Sequence, residues 1–187
     1  MVFTGFNRHD SYRGKHAILS PSKHYWTNYT DEKLHSLIDA QEAIKHGTEM
    51  HDLARRLIEN GIELRDEDKT FNLYVNDAIK YKMTPEQVLY YSDNCFGSAD
   101  AIAYSRKKLR IHDLKTGVTP ANIVQLRIYA ALFCLEYSME PYDIKIELRI
   151  YQNDEVIVDK PSPDEISDLM DIIIHSDRES ERYMLNG

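Results

Sequence analysis

Residues 97–117 read GSADAIAYSRKKLRIHDLKTG. Two short runs rich in Ile, Leu, Ala and Tyr flank the polar turn SRKK, the pattern of a β-hairpin. Each run also carries an aspartate, Asp100 and Asp113, and Lys115 follows the second. Residues 100 and 113 pair about a centre between Arg106 and Lys107. The two carboxylates then lie opposite each other with Cβ atoms roughly 5 Å apart, and like charges so placed are destabilising. A divalent cation between them offsets that repulsion, and an all-oxygen donor set suits Mg²⁺ or Mn²⁺. Asp113 and Lys115 point to the same strand face, about 7 Å apart along the backbone. Two carboxylates and a lysine around a metal suit hydrolysis of a phosphodiester, with the metal lowering the pKa of a bound water and the ammonium steadying charge on the phosphate.

The rest of the chain supplies a scaffold for such a hairpin. Ser20-Pro21 reads as the start of a short helix carrying Trp26, which packs that helix down. Thr48 reads as the N-cap of a helix that stops at Gly61, with Met50, Leu53, Ala54, Leu57 and Ile58 on one face. Residues 66–82 form a second amphipathic helix on Phe71, Leu73, Tyr74, Ala78 and Ile79, closed by Pro85. Three strands follow, VLYYSDNCF, SADAIAYS and LRIHDLK. Thr119-Pro120 opens a long helix, ANIVQLRIYAALFCLEYSM. Alternating Ile144, Ile146, Leu148 and Ile150 make a fourth strand, turned by Asn153-Asp154 into EVIVD. Ser162-Pro163-Asp164-Glu165 is a capping box with Pro at the first helical position, opening the last helix. The order predicts an α/β domain with a mixed central sheet flanked by helices. We expect a flexible tail over 1–13, a single domain over 14–180 and a second tail over 181–187.

At 187 residues one hydrophobic core suffices. No run of 18 apolar residues exists, so no membrane span is expected. The polar N-terminus lacks a secretory h-region. Cys95 and Cys134 are too few for a disulfide framework, and both sit in apolar contexts that read as buried thiols. A net charge of −8 argues against a non-specific DNA coat protein, which needs phosphate neutralisation. Local basic clusters remain, at Arg106-Lys107-Lys108-Arg110 and from Arg8 through Arg13 and Lys15 to Lys23. The first is a hairpin tip that could touch phosphates but lies at the far end of its strands from Gly117. His112 alternates with Asp113, faces the other side of the sheet and reads as structural.

GSADAI, IHDLKTG and QLRIYA, with an upstream GTEMH, match in order the motifs GxxD, DxK, QLxxY and GTxxH. In these the chain resembles the PD-(D/E)XK nuclease superfamily, in its RecB-like branch. GKHAILSPSKHYWTN is similar to the start of phage-encoded members, and the resemblance covers most of residues 14–178. It implies a restriction-endonuclease-like fold and a metal-dependent DNA nuclease, an exonuclease of phage recombination or DNA processing in the bacterial cytoplasm. It implies His51, Asp100, Asp113 and the carbonyl of Leu114 as ligands of Mg²⁺ or Mn²⁺, and Lys115 as the catalytic lysine. Gln125 and Tyr129, four apart on one helix face, would hold the lysine or contact the DNA backbone. Branch members with an iron–sulfur cluster use four cysteines, so no cluster is expected with two. No Walker-type loop is present. The expected partners are DNA and either further copies of the chain or a recombination protein. The alternative is a catalytically inactive nuclease-fold module that binds nucleic acid or inhibits a protein, and an RNA substrate is compatible with the same chemistry.

Overall fold

The structure is a computed structural model that describes residues 9–12, 15 and 17–186. Most of the expected tail over 1–13, including Arg8 and Arg13 of the N-terminal basic cluster, lies outside the described residues. The chain forms two compact units, with the boundary between His46 and Gly47.

The first unit holds 3₁₀ segments at Asp10–Tyr12 and Pro21–Asn28 and the start of helix α1, Asp31–Glu59. Ser20 precedes the second segment as expected, but its side chain makes no cap. Its carbonyl instead accepts the Trp26 indole N–H at 3.0 Å. α1 is capped by Thr30, whose hydroxyl accepts the Lys33 N–H at 3.4 Å. The helix then runs through Gly47 and Thr48, so the start expected at Thr48 is wrong. One glycine costs a helix only about 1 kcal/mol, and good helix formers flank it on both sides. The expected stop is right: Gly61 takes φ +62°, its N–H reaches the Ile58 carbonyl, and the Ile62 N–H reaches that of Leu57 at 2.9 Å. That is a Schellman closure.

The second unit is built on a five-stranded sheet in the order β1-β2-β3-β4-β5. Helix α2 (Thr70–Lys80) precedes β1 (Thr84–Ser92), β2 (Cys95–Ser105) and β3 (Lys108–Leu114), an antiparallel meander. α3 (Val124–Glu136) crosses over to β4 (Lys145–Gln152), which runs parallel to β3. β5 (Glu155–Asp159) pairs antiparallel with β4, and α4 (Pro163–Asn186) follows. The architecture is therefore mixed α/β with a mixed sheet flanked by helices. Ile144, Ile146, Leu148 and Ile150 pack with β2 and β3 against α3 and α4. Ala54 and Ile58 of α1 join Tyr74, Val75 and Ala78 of α2 on a second core with Ala101, Leu114 and Tyr151.

Several boundaries depart from the sequence reading. α2 covers only part of 66–82. Its N-terminus is capped from a distant turn, where the Asp154 carboxylate accepts the Thr70 N–H at 2.9 Å. Pro85 does not end a helix; it lies within edge strand β1, where a missing N–H is tolerated. VLYYSDNCF is not one strand, because the chain turns at Asp93-Asn94 between β1 and β2. α3 starts four residues after Thr119-Pro120, since buried Gln152 donates to the Gly117 and Thr119 carbonyls and holds that segment out of the helix. The capping box forms, with the Glu165 carboxylate accepting the Ser162 N–H at 2.8 Å. α4 continues through the expected C-terminal tail, exposing Tyr183, Met184 and Leu185.

Candidate metal centre

The β2–β3 register follows the expected centre: Ala101 pairs with His112 and Ser105 with Lys108. Asp100 and Asp113 stand one step beyond the last of these pairs. There the ladder opens, and the Asp100 Oδ2 accepts the Leu114 N–H at 2.9 Å. His51, one turn past Gly47 on α1, brings Nδ1 to 3.5 Å from Asp100 Oδ2 and 3.9 Å from Glu86 Oε1. One ligand atom from each of His51, Glu86 and Asp100 falls within 4.8 Å of the others, an arrangement able to hold a metal ion.

Glu86 is the residue that sequence reasoning missed. It sits in β1 between the pairs Pro85–Ala101 and Gln87–Ala99, facing the position of Asp100. Its φ of 51° places it in the left-handed region, which is rare for a non-glycine residue in a strand. Backbone strain of this kind gathers at functional sites. No motif pointed to it, because pairing across strands rather than spacing along the chain brings it to Asp100.

Asp113 lies beside this cluster rather than within it. It is 3% exposed; its Oδ1 accepts the Lys115 ammonium at 3.0 Å, and its Oδ2 is buried with no partner among the described residues. Lys115 also donates to Gln125 Oε1 at 3.3 Å, and the Gln125 amide reaches the Tyr129 hydroxyl at 3.5 Å. Lys115, Gln125 and Tyr129 thus form one chain from the end of β3 to α3. Leu114 contributes its N–H to Asp100, while its side chain is buried against α2.

Two glycines explain why the motifs meet. A Cβ at Gly97 would come within 3.0 Å of the Tyr129 ring, so this position must be bare for that ring to close on the start of β2. A Cβ at Gly47 would come within 3.1 Å of the Thr116 hydroxyl, so α1 approaches the DLKTG segment through its own glycine.

The electrostatics are those of a site short of positive charge. Burial pushes the Asp100 carboxyl up to about 6, and the Asp113 charge pushes the same way, against His51 and the Leu114 N–H. Burial also raises Asp113, opposed by Lys115. Tyr74 beneath them is held well above the usual phenol range, by burial and then by the charges of Asp100, Glu86 and Asp113. His112 is fully buried on the opposite face, its Nδ1 3.1 Å from the Tyr151 hydroxyl. Burial and then Arg149 depress it to about 3, so it stays neutral and structural. An imidazole nitrogen with carboxylate oxygens, plus an unpartnered buried Asp113 oxygen, is a donor set that fits a divalent cation.

No family model and no curated protein matches the sequence. A solved structure described as "Crystal structure of SSO0001" aligns with 81% of this chain and 68% of its own at 13% identity, with a TM-score of 0.34. Likeness at that level identifies neither fold nor activity. Among the described residues no helix is long and apolar enough to cross a membrane.

Proposed function

We propose that the chain is a metal-dependent nuclease of restriction-endonuclease-like fold that hydrolyses DNA phosphodiester bonds, most simply from an end. The observation that carries this reading is the buried, unpartnered Asp113 Oδ2, beside an Asp100 whose carboxyl is pushed up to about 6 and a lysine already bonded to Asp113. A buried carboxylate oxygen that lacks a partner calls for one, and a hydrolytic metal meets that need. His51, Glu86 and Asp100 would hold the ion, with Asp113 completing its surroundings. When bound, the metal supplies Lewis-acid activation of water and of the phosphoryl oxygen.

The remaining chemistry belongs to the chain. Asp113 and Gln125 fix the Lys115 ammonium between them, so its charge is positioned before a substrate arrives, which is where electrostatic stabilisation is most effective. Tyr129 fixes Gln125 in turn. His51 Nδ1 stands 3.5 Å from Asp100 Oδ2 and 3.9 Å from Glu86 Oε1, too far to hydrogen-bond either, a spacing that suits an ion held among the three. Leu114 spends its N–H on Asp100, which sets that side chain's rotamer.

Incubation of end-labelled linear DNA and covalently closed circular DNA with Mg²⁺, Mn²⁺ or EDTA, beside the Asp113→Asn protein, tests the reading. The expected result is metal-dependent loss of linear DNA, intact circles and an inactive variant. Cleavage of closed circles would make the enzyme an endonuclease. Failure to cleave either DNA with either metal would end the nuclease reading.

A further inference from the structure

At the other end of β2 and β3 the same hairpin closes a cleft of about 780 Å³, and seven of its twelve lining residues are Lys or Arg against one acid, Asp143. That concentration stands out in a chain of net charge −8. Lys108 and Arg110 are spoken for by buried Glu147, at 2.7 and 3.5 Å, and the Arg110 guanidinium lies over the Tyr81 ring at 4.5 Å. Lys82, Arg106, Lys107 and Lys145 have no acid partner among the described residues. Of the acids nearby, Asp77 is paired with Arg149, while Asp164 accepts the Tyr142 hydroxyl and with Asp168 keeps negative charge at that edge of the cleft. Tyr142, 65% exposed, offers an open ring at the cleft wall.

The turn chemistry is the second observation. Arg106 and Lys107 have φ of 51° and 59°, the two left-handed positions of a two-residue hairpin turn. Asn-Gly or Asp-Gly fits such a turn best. The β4–β5 hairpin of this same chain uses Asn153 and Asp154 at φ of 53° and 59°, and Asp154 there caps α2. The β2–β3 turn keeps the same geometry with two long cations that bond to no acid. Lys82, on the facing wall, is also left-handed, with φ 53°. Local backbone preference has been given up three times in favour of positive side chains at one cleft, and such departures mark function.

We propose that this cleft is a second nucleic-acid site, which grips the phosphate backbone away from the metal centre. Free cations with an exposed aromatic face are what a nucleic-acid strand uses, whereas an acidic peptide would use the charges alone. Six residues of strand separate Lys107 from Asp113, about 20 Å. The cleft therefore holds a part of the nucleic acid that is not being cut, and it offsets the repulsion that a net acidic protein presents to DNA.

The test is binding of a fluorescein-labelled duplex by anisotropy, in EDTA, across a range of KCl concentrations. Working without metal separates this proposal from cleavage, so it stands or falls whatever the nuclease assay gives. Two variants are used, R106N/K107G and K82Q/K145Q. R106N/K107G is expected to be at least as heat-stable as the parent yet to bind several-fold more weakly, with the log–log salt slope shallower by about 1.8, about 0.9 for each lost phosphate contact. K82Q/K145Q is expected to shift affinity and slope the same way. Parental affinity and slope in both variants would overturn the proposal, as would a parent protein with no duplex affinity in EDTA. Variants that lose binding to polyglutamate but not to the duplex would assign the cleft to an acidic protein and overturn it too.

Discussion

Replacing Asp100 by Asn should make the metal-free protein more stable while destroying the site. Burial and the neighbouring Asp113 raise the Asp100 carboxyl from 3.8 to about 6 in the folded chain. A group whose folded pKa is raised binds more protons folded than unfolded, so its contribution to stability falls as pH rises between the two values. At 1.36 kcal/mol per tenfold change, the full loss is about 3 kcal/mol, of which about 2 kcal/mol falls between pH 4.5 and 7.5. Asn keeps an oxygen for the Leu114 N–H and has no proton to lose. Urea denaturation of both proteins in EDTA across that pH range isolates the effect. The stability of the Asn variant relative to the parent should grow with pH by about 2 kcal/mol. Adding Mn²⁺ at pH 7.5 should raise the parent's stability by mass action and leave the variant's nearly unchanged. A difference between the two proteins that is flat with pH, or that shrinks as pH rises, would refute the argument.

Gly97→Ala should place a methyl group against the Tyr129 ring and loosen the Gln125–Lys115 contact, lowering cleavage well before thermal stability shifts; parallel rate and melting measurements check this. Lys115→Met should abolish cleavage yet leave Mn²⁺ binding intact by calorimetry, because Lys115 lies outside the ligand cluster. Glu147→Ala should cost about 3–5 kcal/mol in urea denaturation, since it strips Lys108, Arg110 and Arg149 of a shared buried partner. Glu86→Gln should weaken Mn²⁺ binding with little effect on folding, as its side chain is 38% exposed and makes no contact shorter than the 3.9 Å to His51 among the ion pairs of the described residues.

Much of the scaffold was legible because it rests on local rules. The β2–β3 register followed from a two-residue turn and an alternating pattern, which set Asp100 opposite Asp113, but the opening of the ladder at that step was not legible. β4, the Gly61 stop and the Ser162 capping box carry their own short-range signals. The start of α1 was not legible, because a threonine that reads as a cap was outweighed by a long run of helix formers around it. α2 and α3 were misjudged at their N-termini because their boundaries are set by Asp154 and Gln152, side chains from far along the chain.

The sequence alone placed Asp113 and Lys115 on one strand face, Asp100 opposite Asp113, and Gln125 and Tyr129 on one helix face, by strand and helix periods that any reader of the chain can count. Tertiary structure decided their company. It brought Glu86 to His51 and Asp100, left Asp113 with one bonded and one bare oxygen, and gathered seven cations at the opposite end of the sheet. Those outcomes depend on which strands and helices come to lie side by side, and burial and charge act through space, where distance along the chain carries no weight.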